Sequence, residues 1–170
     1  MKEEGRAFLD LSAQFLEDQF LPRVRAAVER LDPADVWWRP NETSNAVGNL
    51  LMHLAGNLRQ WVVSGVGGAM DSRRRSEEFT AETRPGRASL LATLTEVVRE
   101  AAGVLRDADP ADLLRERTVQ GTEVTGMYAV YHAVEHFSMH TGQILWIAKL
   151  RTAEDLGFYR VEDGVAERRW

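Results

Sequence analysis

The chain has 170 residues, 44% hydrophobic and 28% charged, which suits one domain with its own core and argues against disorder, collagen-like repeats and a membrane-spanning architecture. It has no cysteine, which removes disulfide frameworks, a thiolate nucleophile, Cys-ligated zinc and cysteinyl iron–sulfur clusters together, and leaves four histidines as the imidazole supply for any metal site. Lys and Arg number 21 against 26 Asp and Glu, a net charge of −5 and the wrong sign for gripping phosphate backbones, so nucleic acid is not an expected partner.

The first 15 residues mix acids with isolated apolar positions and lack a secretory apolar core. No stretch is apolar for long enough to span a membrane. The expectation is a soluble cytoplasmic protein, with residues 1–170 forming a single domain.

Across residues 3–30, Phe8, Leu11, Phe15, Leu16, Phe20, Val24 and Val28 recur at steps of three or four, which predicts a helix. Pro22 predicts a kink or change of direction in it. Asp32 then reads as an N-cap with Pro33 at the first helical position of a short turn that ends at Trp37-Trp38-Arg39-Pro40. Ser44 or Asn45 caps a second long helix through Val47, Leu50, Leu54, Leu58, Trp61 and Val62, stopped by Gly65, Gly67 and Gly68. Residues 71–86 are charged, with Arg73-Arg74-Arg75, and read as a solvated connector carrying a short helix at 76–79. The third helix covers 89–107. After Asp109-Pro110, an extended piece over 117–124 leads into a last long helix, about 126–150, whose apolar positions are dense enough to predict burial on more than one side. Residues 151–170 read as a polar tail anchored by Leu156, Phe158, Tyr159 and Trp170. Four long helices with little strand signal predict an all-α four-helix bundle with a short polar C-terminal tail.

Three histidines, His132, His136 and His140, stand at i, i+4 and i+8 in the last helix. Neighbours in this series share a face, so an adjacent pair can hold one ion. All three cannot, because His132 and His140 are separated by roughly 12 Å of helical rise while metal–imidazole bonds are about 2.0–2.1 Å long. His53, in the middle of the second helix, is the remaining candidate for a third ligand, and three imidazoles would leave open positions of the kind that catalytic metal sites keep. Read blandly, each histidine is a hydrogen-bonded core residue. Phe137 after His136 excludes the H-E-x-x-H arrangement of zinc proteases, and Ser138 three residues after Glu135 excludes the Glu-x-x-His pairs of di-iron bundles.

The segment Val134-Glu135-His136-Phe137-Ser138-Met139-His140-Thr141-Gly142-Gln143-Ile144, with Lys149 beyond it, resembles the fourth-helix signature of the DinB/YfiT-like metalloenzyme family. Asp35-Val36-Trp37-Trp38-Arg39-Pro40, Ser44-Asn45, Gly48-Asn49-Leu50-Leu51-Met52-His53-Leu54-Ala55-Gly56-Asn57 and Asp155-Leu156-Gly157-Phe158-Tyr159 are similar to the same family's pattern, so the likeness covers most of the chain outside 71–86. The resemblance implies a four-helix bundle, often a homodimer, holding a divalent transition metal such as zinc or nickel on His53, His136 and His140. His132 is then left one turn before the site, packed or supporting a ligand. The resemblance also implies a metal-dependent enzyme acting on a small molecule, in the way of relatives that use low-molecular-weight thiols for S-transfer and others that isomerise or hydrolyse.

Three neutral imidazoles would leave a divalent ion's charge uncompensated and favour an anion beside it, thiolate or hydroxide. The leading expectation is activation of an external thiol for attack on an electrophile. Its alternatives are a metal-dependent hydrolase working through hydroxide, and a non-catalytic dimeric bundle binding a partner through its aromatic-rich helices. Asn57, one turn after His53, and Gln143, three residues after His140, are candidate cofactor-binding residues that could instead bridge helices. Glu135 points about 100° away from His136 around the helix and is not expected to act as a base. The Arg73–Arg75 run could meet a carboxylate on the thiol, and a solvated face is its simpler reading.

Overall fold

The computed structural model describes residues 2–80 and 84–170. The first helical rod is unbroken from Lys2 to Arg30, as α1 (Lys2–Gln14), a π-helical stretch (Phe15–Phe20) and α2 (Leu21–Arg30). Pro22 therefore does not interrupt the helical run, and its mark is the π-helical stretch immediately before it. A proline cannot donate to the carbonyl four residues back, here that of Asp18, and its ring crowds that turn. The widened π stretch lies immediately before it and gives the ring room. The Asp18 carbonyl accepts the Trp170 Nε1–H at 3.1 Å instead, and the next carbonyl, that of Gln19, accepts Arg23 Nε–H at 2.6 Å.

The turn after this rod starts later than Asp32 and Pro33 suggest. Asp35 N–H closes onto the Asp32 carbonyl at 2.9 Å, and the 3-10 turn covers Asp35–Trp37. Next comes α3 (Val47–Leu58), which runs straight into a second π-helical stretch, Arg59–Ser64. Its first turn is not capped by Ser44 or Asn45. The Asn49 side chain reaches back so that its Oδ1 accepts the Ala46 N–H at 3.0 Å. Gly48 is obligatory there, because a Cβ would lie 2.7 Å from the Trp37 ring.

A short α4 (Glu77–Thr80), α5 (Arg87–Asp107) and a 3-10 turn (Pro110–Leu114) follow. An antiparallel hairpin of β1 (Glu116–Val119) and β2 (Thr122–Thr125), with Val119 opposite Thr122, occupies the region read as extended. It delivers Thr125 as the N-cap of α6 (Gly126–Thr152), its Oγ1 accepting the Tyr128 N–H at 3.2 Å. The C-terminal segment is more than a polar tail: β3 (Tyr159–Glu162) and β4 (Val165–Arg168) form a second hairpin, turned by Asp163 and Gly164 at positive φ. The fold is thus mostly helical with two small hairpins.

The core is one cluster to which every long helix contributes, including Leu9, Leu16, Leu54, Leu94, Phe137 and Ile144. The buried positions of α6, among them Ala129, Val130, Ala133, Phe137, His140, Ile144 and Ala148, form a single stripe. Its other side exposes Tyr128, Tyr131, Met139, Trp146 and Leu150, so the dense apolar sequence does not mean burial all round. That stripe packs on α2 and α3, and its contact with α3 brings the histidines of the two helices together. Among the described residues, no helix is long and apolar enough to cross a membrane.

Candidate metal centre

His53 stands on the face of α3 turned to α6, and His136 and His140 stand one turn apart on α6. Their ligand nitrogens all lie within 4.8 Å of one another. His136 Nε2 is 3.0 Å from His53 Nε2 and 3.2 Å from His140 Nε2. Two nitrogens bound to one ion at about 2.0–2.1 Å, at angles between octahedral and tetrahedral, are separated by about 2.9–3.4 Å. Two of the three pairs lie at that spacing and the third within 4.8 Å, so the three imidazoles, with no carboxylate among them, are a donor set that could hold a transition-metal ion.

The backs of two of these rings are tied down. His140 Nδ1 lies 2.6 Å from Gln143 Oε1, an acceptor, so the ring proton sits on Nδ1 and Nε2 is left to face the cluster. His53 Nδ1 lies 2.7 Å from Glu78 Oε2. The same carboxylate receives Arg73 Nε–H at 2.7 Å and Nη2–H at 2.8 Å. Arg73 Nη1–H in turn donates to Gln60 Oε1 at 2.9 Å, and Gln60 Nε2–H donates to Asp71 at 2.8 Å.

The stretch read as a solvated connector therefore supplies buried parts of the site: the Arg73 and Glu78 side chains are 3% and 7% exposed. The cost of desolvating the two charges is offset here only because they meet directly. Of the arginine run, Arg74 does point outward and pairs with Glu77, while Arg75 lies over the Phe79 ring at 5.2 Å. Phe79 in turn packs 5.0 Å from the His53 ring.

Burial pushes the His136 pKa down to about 3, helped by the neighbouring His140, His53 and His132 and by Arg73. Burial likewise lowers His140, partly offset by its bond to Gln143. Burial alone would raise the Glu78 carboxyl, but the hydrogen bonds from Arg73 and His53 outweigh it and hold its pKa below the usual carboxylate value. At neutral pH His136 and His140 are thus neutral imidazoles and Glu78 is an ionised carboxylate.

His132 lies outside the cluster. Its ring packs against Trp61 at 4.1 Å and stands 5.4 Å from that of His136. Glu135 is exposed, as its helical position predicts. The two residues proposed for cofactor binding separate. Gln143 orients His140 and lines a surface cleft of about 560 Å³ with Leu50, Ser44 and Trp146. Asn57 is buried one turn beyond His53, and among the described residues the hydrogen bonds of the three clustered imidazoles do not go to it. Glu78, Arg73 and Gln60 are the site residues that sequence spacing missed. Their one mark is Gly56, inside α3, where a Cβ would overlap Glu78 Oε1.

Comparison with curated proteins gives no match. Among solved structures, the chain is similar to the crystal structure of a DinB-like protein, YjoA, from Bacillus subtilis, with a TM-score of 0.64 at 18% identity over 86% of this chain and 95% of that one. At that identity the likeness is one of fold. The sequence model of the DinB superfamily matches residues 18–144, a span that holds α2, α3 and all three clustered histidines, and by that match the chain belongs to the DinB superfamily.

Proposed function

We propose that this chain is a metal-dependent enzyme built on a DinB-type four-helix bundle, holding a divalent transition metal, zinc or nickel, on Nε2 of His53, His136 and His140, and using a low-molecular-weight thiol as co-substrate against a small-molecule electrophile. The observation that carries the reading is the convergence of His53 and His140 on His136 Nε2, at 3.0 and 3.2 Å, within a group of three imidazoles. When bound, such an ion supplies a Lewis acid that lowers the pKa of a thiol or water beside it.

The protein's own part is to bring three imidazoles together and to hold the lone pairs of two of them toward the third. Burial keeps His136 and His140 unprotonated, and the acceptors behind His53 and His140 keep their protons on the far nitrogens. The cluster contains no carboxylate, so its residues do not neutralise the ion and leave it selective for an anion. With no cysteine in the chain, sulfur must come from outside. The hydrolase alternative uses the same three ligands with water in place of the thiol. Glu78 is occupied by Arg73 and His53, and Glu135 faces solvent, so neither reading draws a general base from them. The 560 Å³ cleft that shares Gln143 with the centre is of a size that admits a small molecule.

Elemental analysis of the purified chain should give close to one transition-metal ion per chain, and the His53→Ala, His136→Ala and His140→Ala triple variant should retain none. Conjugation of a chromogenic aryl halide should require both the ion and added thiol. Metal retention by the triple variant would defeat the site, and thiol-independent ester or amide cleavage would replace transfer by hydrolysis.

A further inference from the structure

We infer that Glu78, clamped by Arg73 across the notch at Gly56, is a positioning residue that decides which nitrogen of His53 faces the centre. The inference rests on the reading of the three histidines as metal ligands. A neutral imidazole carries one proton on either of two nitrogens, and only the form protonated at Nδ1 can present Nε2 as a donor. An ionised carboxylate accepts and never donates, so Glu78 Oε2 at 2.7 Å from His53 Nδ1 selects that form, against the longer 3.1 Å approach of Arg73 Nη2–H, which already donates to Oε2, to the same nitrogen.

The carboxylate could do this from several rotamers were it not held. Arg73 takes both of its oxygens in a fork, Nε to Oε1 and Nη2 to Oε2. Gln60 and Asp71 then fix Arg73 through its remaining nitrogen, which holds the fork, and with it the carboxylate, in place behind His53. The fork also pairs the Glu78 charge with a cation, so the carboxylate orients His53 without adding a net negative charge beside the centre.

Stability does not account for the arrangement. A buried ion pair contributes little over an apolar pair of the same volume, and the cluster sits where α3 gives up a side chain to admit it. Gly56 is one turn beyond His53 on the same helix. A methyl group there would overlap Glu78 Oε1 and come within 3.0 Å of Arg73 Nε. Gly56→Ala is therefore a substitution that removes no polar group yet dislodges the carboxylate.

The test combines two readouts on the full-length chain. Long-range proton–nitrogen correlation spectra of the wild type, zinc-loaded and after chelator treatment, should show His53 protonated at Nδ1. Zinc competition against a chromophoric chelator should show Glu78→Gln and Gly56→Ala losing roughly 10–100-fold in affinity, with the His53 proton in the metal-free variants redistributed toward Nε2. Unchanged affinity in folded variants would overturn the inference, and so would a wild-type His53 protonated at Nε2 in the metal-free state. The wild-type spectra decide the point even where a variant fails to fold. A wild type that binds no zinc would sink the metal reading instead, while its spectra would still show whether Glu78 sets the ring.

Discussion

His136 is the imidazole least able to take a proton: burial first, then His140, His53, His132 and Arg73, hold its pKa at about 3 against 6.5 for the free side chain. A histidine lowered in this way makes the unfolded chain the stronger proton binder between those two values, so stability is complete above about pH 6.5 and is lost as pH falls toward 3. Urea unfolding of the metal-free protein should therefore give a lower midpoint at pH 4.5 than at pH 7, and His136→Asn should flatten that difference. An equal pH dependence in the variant would mean that other groups carry it. At this scale the sequence is legible where geometry is local. His136 and His140 announce themselves because a four-residue step in a helix is a fixed displacement, and Gln143 falls within reach of His140 for the same reason. Glu78 and Arg73 do not, because they reach His53 across 25 and 20 positions from a charge-rich stretch with no period. Gly56, a helix-interior glycine that costs about 1 kcal/mol relative to alanine, is the only local trace of that approach.

The first helical rod shows how one missing N–H is settled by a distant element. Pro22 leaves the Asp18 carbonyl without its intrahelical donor, and Trp170 provides the replacement at 3.1 Å while its ring lies against Arg23 and Tyr159. Trp170→Phe keeps much of the ring contact and removes the donor, so it should cost about 1 kcal/mol in urea denaturation. Pro22→Ala restores a local N–H, and in that background the same Trp170→Phe change should cost measurably less. Additive effects in the double-mutant cycle would show that the two residues act independently. The helices α1 and α5 follow from spacing, since their core positions recur with a three-to-four-residue period. The hairpin of β3 and β4 escapes because every residue in both strands is exposed, leaving no alternation of buried and exposed positions to read. What remained was Asp163-Gly164, a dipeptide that suits the two-residue turns favoured in hairpins. The dense apolar sequence of α6 misleads in the opposite direction, because its tyrosines and Trp146 face outward.

Across the whole molecule, the site lies between two helical rods, and whatever binds it binds only the docked pair. Zinc held at a hundred times its dissociation constant would stabilise the native state by about 2.7 kcal/mol, which for a chain of this length raises Tm by about 5–10 °C. Chelator should reverse the shift and His53→Ala should abolish it; a shift that survives His53→Ala would place the ion elsewhere. The order of the long helices and the meeting of α3 with α6 are legible at this scale because α3 is apolar nearly all round and needs long helices packed against it to cover it. The layer of polar residues behind the imidazoles is not, because it obeys hydrogen-bond geometry rather than a repeat. His53 and His136 stand 83 positions apart. No single helix or hairpin contains the centre, so metal held by this cluster would count the molecules in which α3 has met α6, a titration of assembled protein that needs no substrate.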